Sequence, residues 1–144
     1  MTAPSHADLG RHAMTRDSLG EAGRVTWDFL LLFAQKRFAE ANAFLAPGCR
    51  MLFPGGMVLT DCQQMTQRAG TIYRWVVKDF ERIDEVAAAD GTVVYNFGTL
   101  RGEWMDGSPL TGVRYIDRFL VRDGRIADQK VWNDLGVTLL ARKA

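Results

Sequence analysis

One carboxylate lies in an unusual setting, between aromatic residues. Over residues 113–122, one set of alternate positions holds Tyr115, Asp117 and Phe119, whereas the other set holds three arginines. Side chains at alternate positions of a strand point to opposite faces, so the arginines belong in water and Asp117 is expected to point inward. Burial disfavours the charged form of a carboxyl and raises its pKa, which suits a proton donor or a base near neutral pH. The alternative is a buried acid that an amide, a tyrosine or an arginine satisfies, with no chemistry.

Other catalytic groups are scarce. The two histidines, His6 and His12, precede the first periodic segment. If residues 1–17 form a flexible tail, the folded body has no imidazole, which argues against histidine-dependent nucleophiles and histidine-ligated metals. Cys49 and Cys62 have no CxxC spacing and cannot hold zinc alone. We interpret them as reduced thiols, with a single disulfide as the alternative. We expect no metal and no cofactor.

Composition narrows the class of partner. The chain has 144 residues, of which 47% are hydrophobic, and 18 basic against 17 acidic residues give a net charge of +1. No basic segment of the kind that binds nucleic acid is present. The longest apolar run, residues 27–34, is too short to span a bilayer, and the first residues lack the apolar core of a secretory signal. We expect a cytoplasmic protein that binds neither nucleic acid nor membrane.

Helical periodicity comes first along the chain. Apolar residues three and four apart predict a helix that starts at a capping box of Ser18 and Glu21 and ends near Lys36. A second short helix should end at Pro47, and a short strand should follow over residues 49–53. A third helix is predicted around Met65, Ala69 and Ile72.

The period then changes from 3.6 to 2. Asp-Gly pairs at 90–91, 106–107 and 123–124 predict tight hairpins. They separate four expected strands, over residues 74–88, 92–104, 113–122 and 125–134. Helices followed by a meander indicate an α+β fold, in which N-terminal helices pack on the concave face of a cone-shaped, curved antiparallel sheet. We expect one domain over residues 18–144.

The open end of such a cone would be a pocket for a small molecule. Asn96 is a candidate polar anchor, with an edge or interface amide as the alternative. The tryptophans could line the cavity or belong to the core or a dimer interface: Trp75, Trp104 and Trp132. Asn133 is a further candidate for orienting a substrate, although the pattern leaves open which face of the last strand enters the pocket.

Four segments, residues 102–112, 115–119, 122–126 and 131–134, together resemble the SnoaL-like branch of the nuclear transport factor 2-like superfamily. The resemblance covers residues 18–135, and the superfamily shares its α+β cone with ketosteroid isomerase and limonene epoxide hydrolase. It implies that Asp117 occupies the position of the isomerase's protonated aspartic acid. Phe53 and Phe29 then stand where the isomerase has its base and its oxyanion-binding tyrosine. Both belong to the expected pocket wall, but neither can do that chemistry.

The resemblance therefore implies a small-molecule enzyme without a cofactor. Asp117 would be its single general acid/base, in chemistry of the isomerase, cyclase or dehydratase type on a hydrophobic carbonyl compound. The alternative is a non-catalytic ligand-binding or dimeric scaffold protein of the same fold. Because relatives often pair through the outer sheet face, we also expect a homodimer through the convex face.

Overall fold

The computed structural model describes residues 9–65 and 72–143. The chain begins with α1 (Glu21–Ala34) and the short α2 (Phe38–Asn42), and α3 (Leu135–Lys143) lies near its end. The helix predicted after residue 60 falls largely on residues 66–71, outside the described part, and Cys62–Met65 forms a short 3-10 helix. None of the helices in the described ranges is long and apolar enough to cross a membrane.

Six strands form one curved sheet: β1 (Leu45–Phe53), β2 (Met57–Leu59), β3 (Tyr73–Ala88), β4 (Gly91–Trp104), β5 (Pro109–Arg122) and β6 (Arg125–Asn133). Their order is β2-β1-β6-β5-β4-β3. The predicted meander corresponds to β3–β6, which pair antiparallel. Outside this meander, β1 pairs parallel with β6. The sheet is mixed, and the α+β cone is confirmed.

The hairpins follow the predicted turns. At the β5–β6 turn, Asp123 has φ 53° and Gly124 has φ 73°. Positive φ at both central residues defines the type I′ turn, whose twist matches that of the flanking strands. The turn fixes the register in which Arg122 faces Arg125. With this register, the inward-pointing side chains of β6 lie beside the inward-pointing side chains of β5.

The start of α1 differs from its prediction. Gly20 is the N-cap, and the Ser18 hydroxyl donates to the Thr15 carbonyl, so the predicted capping box does not form. Glu85 of β3 caps the helix instead, since its two carboxylate oxygens accept the amides of Gly20 and Gly23 at 2.7 Å each. A negative charge at a helix N-terminus is stabilising. This long-range cap ties α1 to the sheet.

Residues 9–17 are not a free tail, so that part of the predicted flexible segment over 1–17 is wrong. Leu9 is buried, and the Arg11 amide donates to Asp79 of β3. The His12 ring stacks on Phe80 at 4.0 Å between centroids, and its Nδ1 accepts the Phe80 amide. His12 therefore belongs to the folded body. The segment supplies partners to an edge strand whose backbone groups would otherwise lack them.

Candidate functional site

An ion pair lies inside the cone. Asp117 of β5 points inward, as predicted, and is 0% exposed. The Lys78 ammonium, from β3, donates to Asp117 Oδ2, and the lysine side chain remains 23% exposed. Lys78 faces Leu100 across the β3–β4 pair, and Asn96 faces Asp117 across the β4–β5 pair. Through Leu100, Lys78 is aligned with Val113 of β5, on the same strand as Asp117, so the long lysine side chain reaches the carboxylate diagonally across β4.

Tyr115 and Asn96 support the pair from behind. Lys78 Nζ lies 4.9 Å from the centroid of the Tyr115 ring, where the negative face of the ring attracts the ammonium. The Tyr115 hydroxyl donates to Asn96 Oδ1 at 2.5 Å. Gly98, opposite Tyr115 on β4, leaves room for this ring, because a Cβ there would lie 2.9 Å from the tyrosine hydroxyl. Lys78 is thus fixed against a rigid aromatic surface.

Burial dominates the titration of the site. It raises the pKa of Asp117, and the Lys78 charge and hydrogen bond, with the Gln129 side chain, offset only part of that rise. Asp117 Oδ1 has no hydrogen-bond partner among the described groups. Burial likewise raises the pKa of Tyr115, and the neighbouring Asp117 carboxylate raises it further. The carboxyl is therefore a group that accepts a proton readily.

A cavity of about 550 Å³ adjoins Lys78. Its wall is mostly aliphatic and aromatic, and it comes from α1, β3, the 54–57 segment and α3. Among the described lining residues, the titratable side chains are Lys78 and Tyr73, and burial raises the pKa of the latter. Asp117 does not line the cavity, because Lys78 stands between the two. A ligand in this space meets the ammonium before the carboxylate.

Some of the predicted pocket residues line the cavity, others lie behind Lys78, and the rest do not reach the cavity. Phe53 and Asn133 line the cavity. The Asn133 Oδ1 also accepts the Leu135 amide at the start of α3, a helix that the sequence analysis missed. Tyr115 and Asn96 are buried behind Lys78, in the layer that holds it.

The remaining candidates do not reach the cavity. Phe29 and Phe119 are core residues that pack edge-to-face at 6.0 Å, because α1 lies directly on β5. Trp132 points to the convex face and is 53% exposed, since Val131 takes the inward position in β6. Trp75 is absent from the described cavity lining, and Trp104 is buried beneath Arg142 of α3. Phe29, Phe119, Trp75 and Trp132 are therefore not among the described residues that line the cavity beside Lys78.

Lys78 is the central residue that sequence analysis missed. It lies between Val76 and Phe80, which line the same cavity. The signal was a lysine at an alternate position between two apolar residues. The neighbouring set, which includes Val77 and Asp79, mixes apolar and charged residues equally well. Alternation alone could not decide which set faces inward.

The remaining reactive groups offer no competing centre. Cys49 and Cys62 are free and buried, and burial raises the pKa of their thiols to about 11 and about 12. Such thiols are poor nucleophiles at neutral pH. Within residues 9–65 and 72–143, no cluster of three or more His, Cys, Asp or Glu side chains is placed to bind a metal. The ion pair is therefore the most reactive feature described.

Comparison with known proteins identifies the fold. No family model matches the chain, and no curated protein matches it. A solved NTF2-like protein of unknown function from Burkholderia pseudomallei K96243 superposes with a TM-score of 0.71 at 13% identity, covering 88% of this chain and 100% of the other. The chain has the NTF2-like fold.

Two further structural neighbours carry names that suggest chemistry. A protein named as a SnoaL-like polyketide cyclase, from Jannaschia sp. CCS1, has a TM-score of 0.66 at 15% identity, covering 86% of this chain and 92% of its own. One named as a scytalone dehydratase, from Novosphingobium aromaticivorans DSM 12444, has a TM-score of 0.58 at 14% identity, covering 78% and 81%. At these identities the likeness concerns the fold, and function must be argued from the site.

Proposed function

We propose that this NTF2-like protein catalyses cofactor-independent acid/base chemistry on a hydrophobic carbonyl compound. The observation that carries the proposal is the Lys78–Asp117 pair at the wall of an apolar cavity. An ammonium there binds a carbonyl oxygen and stabilises the negative charge that develops when a water molecule or hydroxide ion from solvent takes a proton from a neighbouring carbon. A preorganised donor in a site shielded from water is worth far more than the same donor in water.

The roles of the two residues differ. Lys78 contacts the substrate oxygen, since its side chain reaches the cavity. Asp117 is a positioning residue, which holds the ammonium from the far side. This changes the expected mechanism, in which Asp117 itself moved the proton. Isomerisation, aldol-type cyclisation and dehydration all pass through an enol or enolate, so the site fits any of them.

The fold neighbours support this class of reaction without defining it. A polyketide cyclase and a scytalone dehydratase are named among them. Their shared feature with this chain is the cone, and the substrate stays open. The proposal accordingly concerns a reaction type, enolisation, and not a product.

Hydrogen–deuterium exchange tests the proposal without the natural substrate. The purified protein is incubated in D₂O with 2-tetralone and with 1,3-indandione, and loss of the protons next to the carbonyl is followed by NMR. We expect catalysed exchange, which Lys78→Met reduces by about 10²–10³-fold, the usual cost of removing one donor to a developing oxyanion. Lys130→Met, on the exposed convex face, is the matched control and should leave exchange unchanged. Equal rates for Lys78→Met and wild type would refute the proposal.

A ligand-binding protein without catalysis is the second candidate. It is favoured by the lining itself, in which the titratable side chains among the described residues are Lys78 and Tyr73. Enolisation needs a base as well as an oxyanion donor, and the described wall offers few groups that could serve as the base. Saturable binding of 2-tetralone without any catalysed exchange would favour this candidate.

We also propose that the protein is a homodimer joined through its convex face. Trp132 is 53% exposed there, beside Ile116 on the neighbouring strand. Aromatic side chains of this size contribute strongly when an interface buries them. Salt bridges of Arg114 with Asp134 and of Arg118 with Asp128 lie on the same face and suit the polar rim of an interface.

A further inference from the structure

We infer that the cavity takes an apolar ligand with one acidic group, bound as an anion against Lys78 while Asp117 takes up a proton. The inference rests on the proposed function, because it uses the same site, and it specifies the charge of the substrate. Enolic 1,3-dicarbonyl compounds and aromatic or aliphatic carboxylic acids share this chemistry: a delocalised single negative charge on an apolar body.

The first step of the argument is the arrangement of charges. Along the described wall, Lys78 is the only cationic side chain, and no carboxylate lines the cavity. Asp117 lies on the opposite side of the ammonium and is completely buried. A ligand therefore approaches positive charge over a short distance and negative charge over a longer one. Most of the remaining described wall is apolar and suits the body of the ligand.

The second step concerns what happens to Asp117. An anion at Lys78 places two negative groups on one ammonium, within a region of low dielectric constant, where like charges repel strongly. The charged and titratable groups facing Asp117 are Lys78 of β3 and Tyr115 of β5, and β4 and β6 offer only the amides of Asn96 and Gln129. Within residues 9–65 and 72–143, no second cation forms an ion pair with the carboxylate.

A proton is the simplest compensation. Asp117 Oδ1 has no hydrogen-bond partner in the described structure, so this oxygen is available to carry the proton. Burial already favours the neutral carboxyl. Once protonated, Asp117 still accepts from Lys78, and the ammonium then presents its full charge to the ligand. The proton comes from solvent, and no bond other than O–H forms or breaks in the protein.

Two fluorescent probes with the same ring skeleton test this inference. 8-Anilinonaphthalene-1-sulfonate carries a negative charge, and N-phenyl-1-naphthylamine does not. Dissociation constants of both are measured by fluorescence between about pH 5 and about pH 8, in wild type and in the variants Lys78→Met, Asp117→Asn and Lys130→Met. The neutral probe also corrects for pH effects on the cavity wall, including titration of His12 beside Phe80.

We expect wild type to bind the anionic probe more tightly as the pH falls, and the neutral probe equally at every pH. Lys78→Met should weaken binding of the anionic probe by about tenfold or more. It should leave the dissociation constant of the neutral probe within about twofold of wild type. Asp117→Asn, which keeps the side-chain volume, should bind the anionic probe at about pH 8 as tightly as wild type does at low pH, without pH dependence.

Three results would overturn the inference. One is an equal loss of affinity for both probes in Lys78→Met, which indicates that the lysine has only a structural role. Another is weaker binding or unchanged pH dependence of the anionic probe in Asp117→Asn, and this variant decides alone if Lys78→Met does not fold. The third is an equal loss in Lys130→Met, which indicates binding at the surface. Because these are binding measurements, they stand apart from the exchange rates that test catalysis.

Discussion

Replacing Lys78 by Met should destabilise the protein strongly, and replacing both members of the ion pair should not. In the single variant, Asp117 keeps its complete burial but loses the one ionic partner that it has among the described residues. Uncompensated buried charges of this kind typically cost about 3–5 kcal/mol. That is a large part of the roughly 5–15 kcal/mol that holds a domain folded. In Lys78→Met/Asp117→Leu, neither of these two positions carries a charge, and stability should match or exceed wild type by up to about 4 kcal/mol.

The pH dependence of the single variant follows from the direction of the Asp117 shift. Burial raises its pKa in the folded state above the ordinary value of 3.8. The folded protein then binds the proton more tightly than the unfolded chain does. The contribution of Asp117 to stability is therefore fully present below pH 3.8 and is lost as the pH rises through its raised pKa. Without the opposing charge of Lys78, burial raises the pKa of Asp117 further. Lys78→Met should therefore be more stable at about pH 5 than at about pH 8.

Urea denaturation followed by circular dichroism, at about pH 5 and about pH 8, measures these free energies of unfolding. Lys130→Met is the control for loss of a lysine and should stay within about 0.5 kcal/mol of wild type. The reasoning is refuted if the double variant is less stable than Lys78→Met. It is also refuted if the Lys78→Met deficit is the same at both pH values.

Three further variants test other contacts. Gly98→Ala places a Cβ 2.1 Å from the Asp79 carbonyl oxygen, so we expect a loss of about 1–3 kcal/mol in urea denaturation. Glu85→Ala removes the carboxylate that caps α1 and should cost about 0.5–2 kcal/mol in the same assay, while Glu85→Gln should cost less. Trp132→Arg should convert the proposed homodimer into a monomer in sedimentation velocity; a wild-type monomer would contradict the dimer.

Short sequence patterns predicted the fold well where the structure depends on residues that are close together in the chain. The Asp-Gly pairs determine the hairpins because two residues set the turn, and the turn sets the register. Alternation in β5 was decisive because three arginines occupy one face, which leaves Asp117 the other. The parallel pairing of β1 with β6 had no such signal, since the paired residues Met51 and Gln129 lie far apart in the sequence, with three strands of the meander between them.

The N-terminal segment was misinterpreted for a related reason. Residues 9–17 bind the edge of β3 mainly through backbone groups, such as the Arg11 and Ala13 amides. Contacts of this kind leave no hydrophobic period in the sequence. His12 consequently belongs to the fold, although its Nδ1 is occupied by the Phe80 amide and burial lowers its pKa. Its role here is structural, so its presence adds no proton-transfer group to the cavity.

The position of Lys78 changes what the resemblance to ketosteroid isomerase can imply. In that comparison Asp117 stands where a neutral carboxylic acid donates to the substrate oxygen. Here an ammonium from β3 occupies the space between the carboxyl and the cavity. An ammonium favours an anionic oxygen over a neutral carbonyl by far more than a carboxylic acid does, because it contributes a full charge. The same inward aspartate therefore supports a site for acidic substrates, selected by a residue on a different strand.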